Sequence, residues 1–395
     1  MEQRVTTPRS ERLHIALIGR CNSGKSTLVN ALTGQRSAIV SEVAGTTTDP
    51  ILKNIELPNV GAAVIIDTAG IDDCSTLASE RIAATRRALD TTDIALLLFT
   101  SEDTSIEQEW LDELRRRKIE VVAVLSQCDR LAGPTTLLDT IRAKTGLTAL
   151  CTSGVTGEGV DLLISAIAAA RQSEERLLTE GLCEAGDSVL LVMPQDSSAP
   201  KGRLIMPQVQ TLRELLDRGC TAICCTPDNM ERAIGSLNAA PHLIITDSQV
   251  FDAAAQLKPE GSLLTSFSVL QARHKGDIES FVAGARHLLS LPSTARILIA
   301  EACTHKPQNE DIGRVKLPRL LCRRLGDELH IDTVGGADFP EDLSNYDIVI
   351  HCGACMFTRR HVMSRLTAAQ AANVPMTNYG IAIAALTGIL DKINY

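Results

Sequence analysis

Thiol and imidazole side chains cluster in two short motifs near the C-terminus. Cys303-Thr304-His305 is followed, after 45 residues, by His351-Cys352-Gly353-Ala354-Cys355. Three thiols and two imidazoles form a soft ligand set, which suits zinc or an iron–sulfur cluster. A closed zinc site would use three sulfurs and one imidazole, whereas a [4Fe–4S] cluster would use three cysteines and leave one iron to another ligand. The residues alone leave both centres open, beside a third interpretation in which buried cysteines are spaced this way by chance.

A phosphate-binding loop lies near the N-terminus. The segment Gly19–Ser26 fits G-x4-G-K-S between a predicted strand and a predicted helix, which is the context the motif requires. Its glycines let backbone N–H groups face phosphates, and the helix start favours their negative charge. Lys25 is predicted to reach the β- and γ-phosphates, and Ser26 to bind Mg²⁺. The predicted nucleotide contacts in this loop are Gly19, Asn22, Ser23, Gly24, Lys25, Ser26 and Thr27.

Two further segments complete a predicted GTP–Mg²⁺ site. Asp67-Thr68-Ala69-Gly70 follows a predicted strand, so Asp67 can support the magnesium while the Gly70 amide senses the γ-phosphate. Between this segment and the phosphate loop, residues 45–49 offer a threonine for the magnesium, which we assign to Thr47.

The element expected to recognise guanine departs from the N-K-x-D pattern. It is Ser126-Gln127-Cys128-Asp129, in which Asp129 can still accept from the guanine N1–H and N2–H₂ groups. Ser153-Gly154 is a variant of the S-A-x loop that offers an amide to guanine O6. Guanine preference is predicted, with weakened affinity because the bracing asparagine and lysine are absent.

Alternating strands and helices are predicted to position these motifs, and the carboxyl ends of parallel strands gather ligands. We predict an α/β protein of three successive units: a P-loop GTPase domain (1–172), then two parallel-sheet domains (180–268 and 269–395). The last predicted helix covers Ile381–Ile393. The predicted strands are Leu13–Ile18, Ala63–Ile66, Ile94–Phe99, Val121–Leu125, Ser188–Met193, Ala222–Cys225, Leu243–Thr246, Ser262–Ser266, Ala295–Ala300, Leu329–Thr333 and Ile348–Ile350.

Composition narrows the class of protein. The chain has 395 residues, 44% hydrophobic and 22% charged, with a net charge of −9. An acidic chain argues against a nucleic-acid partner, which would require a basic face. No apolar run is long enough to span a membrane, and no signal peptide is seen, so a cytoplasmic location is predicted. The 12 cysteines are then expected to remain reduced.

About the first 170 residues resemble the Era/TrmE-like branch of translation-factor-class GTPases. In that branch, the asparagine that precedes S-G-K, here Asn22, accompanies potassium-dependent hydrolysis. Ile71 stands where Ras-like enzymes have a catalytic glutamine, and it cannot orient a water molecule. The resemblance therefore implies K⁺ as a further cofactor, and a catalytic set of Lys25, Asn22 and Thr47.

The whole chain resembles HydF, the [FeFe]-hydrogenase maturation GTPase family. The resemblance rests on C-x-H and H-C-x-x-C placed after a GTPase domain, and on several shorter motifs. These motifs are Val192-Met193-Pro194, Pro200–Arg203, Thr246–Gln249, Leu264–Ser268, Lys275-Gly276-Asp277 and Thr377–Gly380.

Membership of that family would imply a middle dimerisation domain, a homodimer and a C-terminal [4Fe–4S] domain. The protein would carry the diiron subcluster made with two radical-SAM maturases and deliver it to the apo-[FeFe]-hydrogenase. Cys303, Cys352 and Cys355 would be the cluster thiolates. The candidates for the remaining position are His305, His351, Glu310, Asp311, water and the cargo.

Two other functions compete with this interpretation. One is a ribosome- or tRNA-directed GTPase with a structural zinc module, which a basic RNA-binding appendage would favour. The other is a GTP-independent scaffold, suggested by the altered Ser126-Gln127 element.

Overall fold

Strands and helices alternate along the chain, as predicted. The structure, a computed structural model, forms two compact units, Met1–Glu175 and Arg176–Tyr395. None of the helices among the described residues is long and apolar enough to cross a membrane. The described residues are 11–33, 42–43, 50–72, 77–131, 133–171, 176–195, 204–302, 312–336, 338–354 and 357–395.

A mostly parallel sheet forms the centre of the first unit. Its strands are β1 (Leu13–Ile18), β2 (Glu42–Val43), β3 (Ile51–Leu57), β4 (Gly61–Asp67), β5 (Ile94–Phe99), β6 (Glu120–Leu125) and β7 (Leu150–Cys151). The helices are α1 (Lys25–Thr33), α2 (Ala78–Leu89), α3 (Ser105–Arg116), α4 (Pro134–Thr145) and α5 (Val160–Arg171).

The strand order is β2-β3-β4-β1-β5-β6-β7, and β2 and β3 run antiparallel to their neighbours. Every residue of β5 is buried, as expected for an apolar strand covered on both faces. The edge made by β2 and β3 was not predicted, because β3 mixes Lys53, Asn54 and Glu56 with its apolar residues.

Two parallel four-stranded sheets form the second unit. The first contains β8 (Ser188–Val192), β9 (Thr221–Cys225), β10 (Leu243–Thr246) and β11 (Leu263–Ser266), in the order β11-β10-β8-β9. The second contains β12 (Arg296–Glu301), β13 (His330–Gly335), β14 (Ile348–His351) and β15 (Met376–Asn378), in the order β13-β12-β14-β15. The predicted class, a GTPase-like unit followed by two parallel sheets, is confirmed.

Helices cover these two sheets and join them. They are α6 (Met206–Asp217), α7 (Met230–Gly235), α8 (Phe251–Leu257), α9 (Phe267–Lys275), α10 (Ile278–Leu288), α11 (Leu317–Leu325), α12 (Arg359–Ala371) and α13 (Tyr379–Leu386). One hydrophobic cluster contains residues of both sheets, for example Ile244 of β10 and Val349 of β14.

The last helix is shorter than predicted. The helix expected over Ile381–Ile393 ends at Leu386, and Gly388 has a left-handed φ of 77°. A glycine in that conformation readily ends a helix, and the apolar residues beyond it pack as an irregular segment and a short 3₁₀ turn, Leu390–Lys392.

Candidate functional site

The phosphate loop connects β1 to α1 and is held in a preformed shape. Asn22 and Gly24 have left-handed φ values of 59° and 86°. The buried Lys25 donates from Nζ to the carbonyls of Gly19 and Arg20, each at 2.8 Å. Burial lowers the pKa of Lys25, and the nearby Asp67 opposes this change. The lysine therefore lies inside the loop, where a phosphate would meet it.

Arg20 anchors this loop to α3. Its guanidinium donates to both carboxylate oxygens of the buried Glu107, at 2.7 and 3.1 Å, and to Asp103 at 3.0 Å. A two-point arginine–carboxylate pair is directional as well as strong, so it fixes the outer part of the loop. The sequence pattern gave no role to Arg20, because this position of the motif accepts any residue.

Ser26, the predicted magnesium ligand, lies beside Asp67, the carboxylate predicted to support the ion. Ser26 Oγ donates to Asp67 Oδ2 at 2.8 Å, so a hydroxyl at the helix start and a carboxylate at the end of β4 meet at one point. Oxygen donors are the ligands Mg²⁺ prefers, and this pair fits it. Thr47 lies outside the described residues.

The segment after β4 packs directly on the phosphate loop. A Cβ added to Gly70 would lie 2.7 Å from Cys21 N, so only glycine fits here without movement of the loop. Ile71 is buried in the core at 6% exposure, so its side chain takes no part in the site.

Asp72 contributes an acidic group that was not predicted. Its Oδ1 accepts the Cys21 N–H at 2.5 Å. Burial by itself raises the pKa of this carboxyl. The hydrogen bonds from Cys21, together with the Asp72 backbone N–H and the Arg20 charge, outweigh burial, so the pKa lies below its ordinary value. A carboxylate is therefore aimed at the phosphate loop.

The altered guanine element is braced by a different side chain. Gln127, itself left-handed with φ of 59°, donates from Nε2 to the Asn22 carbonyl at 2.6 Å. Cys128 N–H donates to Thr152 O at 3.1 Å, which ties this turn to the Ser153 loop. The exposed Asp129 lies in the 3₁₀ turn that follows Gln127. The glutamine amide thus links the guanine element to the phosphate loop without the usual lysine.

The loop containing Ser153 also packs tightly. Ser153 Oγ accepts the N–H groups of Val155 and Thr156, at 3.3 and 3.1 Å. A Cβ added to Gly154 would lie 2.8 Å from the Thr27 carbonyl carbon, in the first turn of α1. This close approach explains why glycine replaces the alanine of the S-A-x pattern.

One predicted metal ligand, Cys352, lies directly after β14. Its Sγ accepts backbone N–H groups from Ala302, which directly follows β12, and from Ala354, at 3.0 and 3.4 Å. Such N–H···S bonds stabilise a thiolate and adjust the potential of a bound metal centre, so this sulfur fits a zinc or iron ligand.

The other predicted ligands, except His351, lie outside the described residues. They are Cys303, His305, Glu310, Asp311 and Cys355. Among the described residues, no group of three or more histidine, cysteine or carboxylate side chains could hold a metal.

His351 supports the backbone beside Cys352. Because arginine only donates, His351 Nε2 accepts from Arg365 Nη1 at 3.0 Å, and Nδ1–H then donates to Cys352 O at 2.9 Å. Burial, with the Arg365 charge as a smaller cause, lowers the pKa of His351 to about 3. The imidazole is therefore neutral, and both ring nitrogens are used within the protein.

Arg365 is buried at 4% exposure between two aromatic rings. Its guanidinium carbon lies 4.7 Å from the ring centroids of both Phe339 and Phe357, and Nη2 donates to Gly336 O. Cation–π contacts and hydrogen bonds together offset part of the cost of burying the charge.

Comparison with family models divides the chain into three matched segments. Residues 14–127 match a model described as 50S ribosome-binding GTPase. Residues 178–276 match the hydrogen maturase F dimerization domain, and residues 279–394 match the hydrogen maturase F tetramerization domain.

Curated relatives match a shorter stretch. The tRNA modification GTPase MnmE of Nitrosomonas europaea is 32% identical over 174 residues, which is 43% of this chain and 37% of the relative. MnmE of Legionella pneumophila (strain Corby) is 36% identical over 163 residues, covering 39% and 33%. The chain therefore matches only about a third of these relatives' lengths.

Solved structures show a similar partial likeness. The cytosolic domain of the Thermotoga maritima FeoB iron transporter in its GMPPNP form is 25% identical, with a TM-score of 0.33. The match covers 42% of this chain and 66% of the FeoB chain. Era in complex with MgGDPNP and nucleotides of 16S ribosomal RNA is 20% identical with a TM-score of 0.35, covering 54% and 92%.

Proposed function

Because this chain belongs to the hydrogen maturase F family, we propose that it is a GTPase and iron–sulfur scaffold that serves the maturation of [FeFe]-hydrogenase. The observation that carries the proposal is the pair of adjoining family matches over residues 178–276 and 279–394, placed after a GTPase domain. The MnmE relatives match only about two fifths of the chain, so we propose no tRNA substrate for this protein.

The metal centre of this proposal is a [4Fe–4S] cluster on Cys303, Cys352 and Cys355. The two N–H donors to Cys352 Sγ support it, since they favour a thiolate. When bound, such a cluster offers one iron whose remaining position can take and release a ligand, which suits a carrier of a diiron precursor. We assign that position to Glu310, His305 or the cargo, and we assign His351 to support of the cysteine loop.

GTP with Mg²⁺ is the proposed nucleotide. Ser26 and Thr47 would bind the magnesium and Asp67 would support it, while Lys25 would exchange its loop carbonyls for phosphate oxygens. Since Ile71 is buried in the core, we infer that K⁺ held with Asn22 offsets the charge of the transition state. Switch segments ordered by the γ-phosphate can bias an interface, so we propose that GTP controls partner association.

The proposed partners are the apo-[FeFe]-hydrogenase, two radical-SAM maturases and further copies of this chain. The names of the matched dimerization and tetramerization domains support self-association. We place the protein in the cytoplasm, where its thiols remain reduced and available for metal.

Metal and sulfide analysis after anaerobic reconstitution tests this proposal. We expect about four irons and four sulfides per chain, with a broad absorption band at about 400 nm. Cys352→Ser should lose the cluster, while Cys322→Ser, a partly exposed free cysteine on α11, should retain it. A colourless protein with one tightly bound zinc would refute the cluster and favour a structural zinc module.

A further inference from the structure

A buried lysine from another segment of the chain holds the loop that carries Cys352. Lys275, the last residue of α9, is 3% exposed. Its Nζ donates to Ala354 O at 2.9 Å and to Phe357 O at 2.8 Å. These two carbonyls lie on either side of Cys355 in the sequence. Two carbonyls of the segment that follows Cys352 are therefore bound by a side chain that lies 77 positions before Cys352.

Burying an ammonium group is costly unless its N–H donors find acceptors. The carbonyls of the loop supply the required acceptors. One of them belongs to Ala354, whose φ of 53° is left-handed and unfavourable for a residue with a Cβ. The hydrogen bond from Lys275 helps to hold this conformation, in which Ala354 N–H lies 3.4 Å from Cys352 Sγ.

The segment that follows the loop also donates hydrogen bonds to the end of α9. Arg359, at the start of α12, donates from Nη1 to His274 O and Gly276 O, at 3.2 and 2.6 Å. These carbonyls flank Lys275, so the lysine's own backbone is anchored by the segment it holds. The end of α9 is thus hydrogen-bonded to Ala354, Phe357 and Arg359.

We propose that Lys275 is a positioning residue for the metal centre. Through the Ala354 carbonyl it holds the loop in which Cys352 Sγ receives an N–H donor. A positive charge on its ammonium group would stabilise the reduced form of a bound cluster, which carries more negative charge. This inference rests on the proposed function, because it takes the C-x-x-C loop as the cluster site.

The first test needs no metal. Hydrogen exchange of the backbone amides of residues 352–357 is measured in the full-length apoprotein and in Lys275→Met. Loss of hydrogen bonds from a charged donor should speed exchange by about tenfold or more. Lys258→Met is the matched control, because Lys258 Nζ also donates to two backbone carbonyls, those of Ser262 and Pro259, at 2.5 and 3.3 Å. Equal exchange rates of these amides in the wild type and in Lys275→Met would overturn the proposal.

The second test separates charge from hydrogen bonding in the reconstituted protein. Lys275→Gln keeps a neutral donor, so its loop should exchange less than that of Lys275→Met. Both variants should lower the midpoint potential of the cluster, and Lys275→Arg should move it back towards the wild-type value. Equal potentials in all variants would refute the role of the charge. A wild-type protein that takes up no iron would refute the proposed function, whereas the exchange result would stand.

Discussion

Gln127→Ala should weaken nucleotide binding by removing the brace between the guanine element and the phosphate loop. The lost contact is the hydrogen bond from Gln127 Nε2 to Asn22 O, at 2.6 Å. A neutral hydrogen bond contributes a net ~0.5–1.5 kcal/mol. Because about 1.4 kcal/mol corresponds to a tenfold change in an equilibrium constant, the Kd for GTP and GDP should rise by roughly two- to twelve-fold.

Fluorescence titration with a labelled guanine nucleotide measures this change. Gln108→Ala is the matched control, because Gln108 Nε2 also donates to a backbone carbonyl, that of Lys144, at 3.1 Å in the same unit. Its Kd should equal that of the wild type. Gln127→Lys should bind as well as the wild type, since an ammonium group can donate to the same carbonyl.

Base selectivity provides a second criterion. The ratio of GTP to ATP affinity should not change in Gln127→Ala, because the mutation leaves Asp129 in place. An unaltered Kd would show that the loop needs no brace. A changed ratio would show that Gln127 contacts the base, and either result would refute the reasoning.

Three further predictions concern catalysis and stability. GTP hydrolysis should be several-fold faster in K⁺ than in Na⁺, and Asn22→Ala should remove most of the difference; equal wild-type rates would exclude a potassium site. Gly154→Ala should lower the calorimetric Tm of its unit by roughly 2 to 12 °C, because the new Cβ would lie 2.8 Å from Thr27 backbone; an unchanged Tm would mean that the loop yields freely. Burial, with a smaller effect of the Lys275 charge, lowers the pKa of His274. As the pH falls below ~6.5, the unfolded chain therefore binds a proton at His274 that the folded chain does not, and the free energy of unfolding decreases. Urea unfolding at about pH 7.5 and about pH 5.5 should show a smaller decrease for His274→Gln than for the wild type, and equal decreases would contradict this prediction.

Local patterns were sufficient to predict the phosphate loop and most of the strands. The segment Gly19–Ser26 is contiguous, and its function depends on backbone N–H groups whose geometry follows from glycine and the helix start. Buried strands such as Ile94–Phe99 are apolar throughout, so their bounds could be read from composition. The end of α13 was misplaced because apolar residues continue past Gly388, and composition does not separate a buried helix from a buried irregular segment.

The contacts that support the two candidate sites were decided by tertiary structure. Gln127 meets Asn22 across 105 positions, and Lys275 meets Ala354 across 79. Neither pairing has a local signature, because a donor of suitable length can reach any carbonyl that the fold brings near.

His351 shows the same division between sequence and structure. By itself, the sequence determined which residues could bind phosphate or metal, because their types and short spacings are local features of the chain. Whether His351 binds a metal or supports the backbone of Cys352 depends on Arg365. This arginine reaches His351 only because α12 packs against β15, the neighbour of β14 in the sheet. The hydrogen-bond partners of a side chain depend on how distant elements pack, so a local sequence pattern cannot predict them.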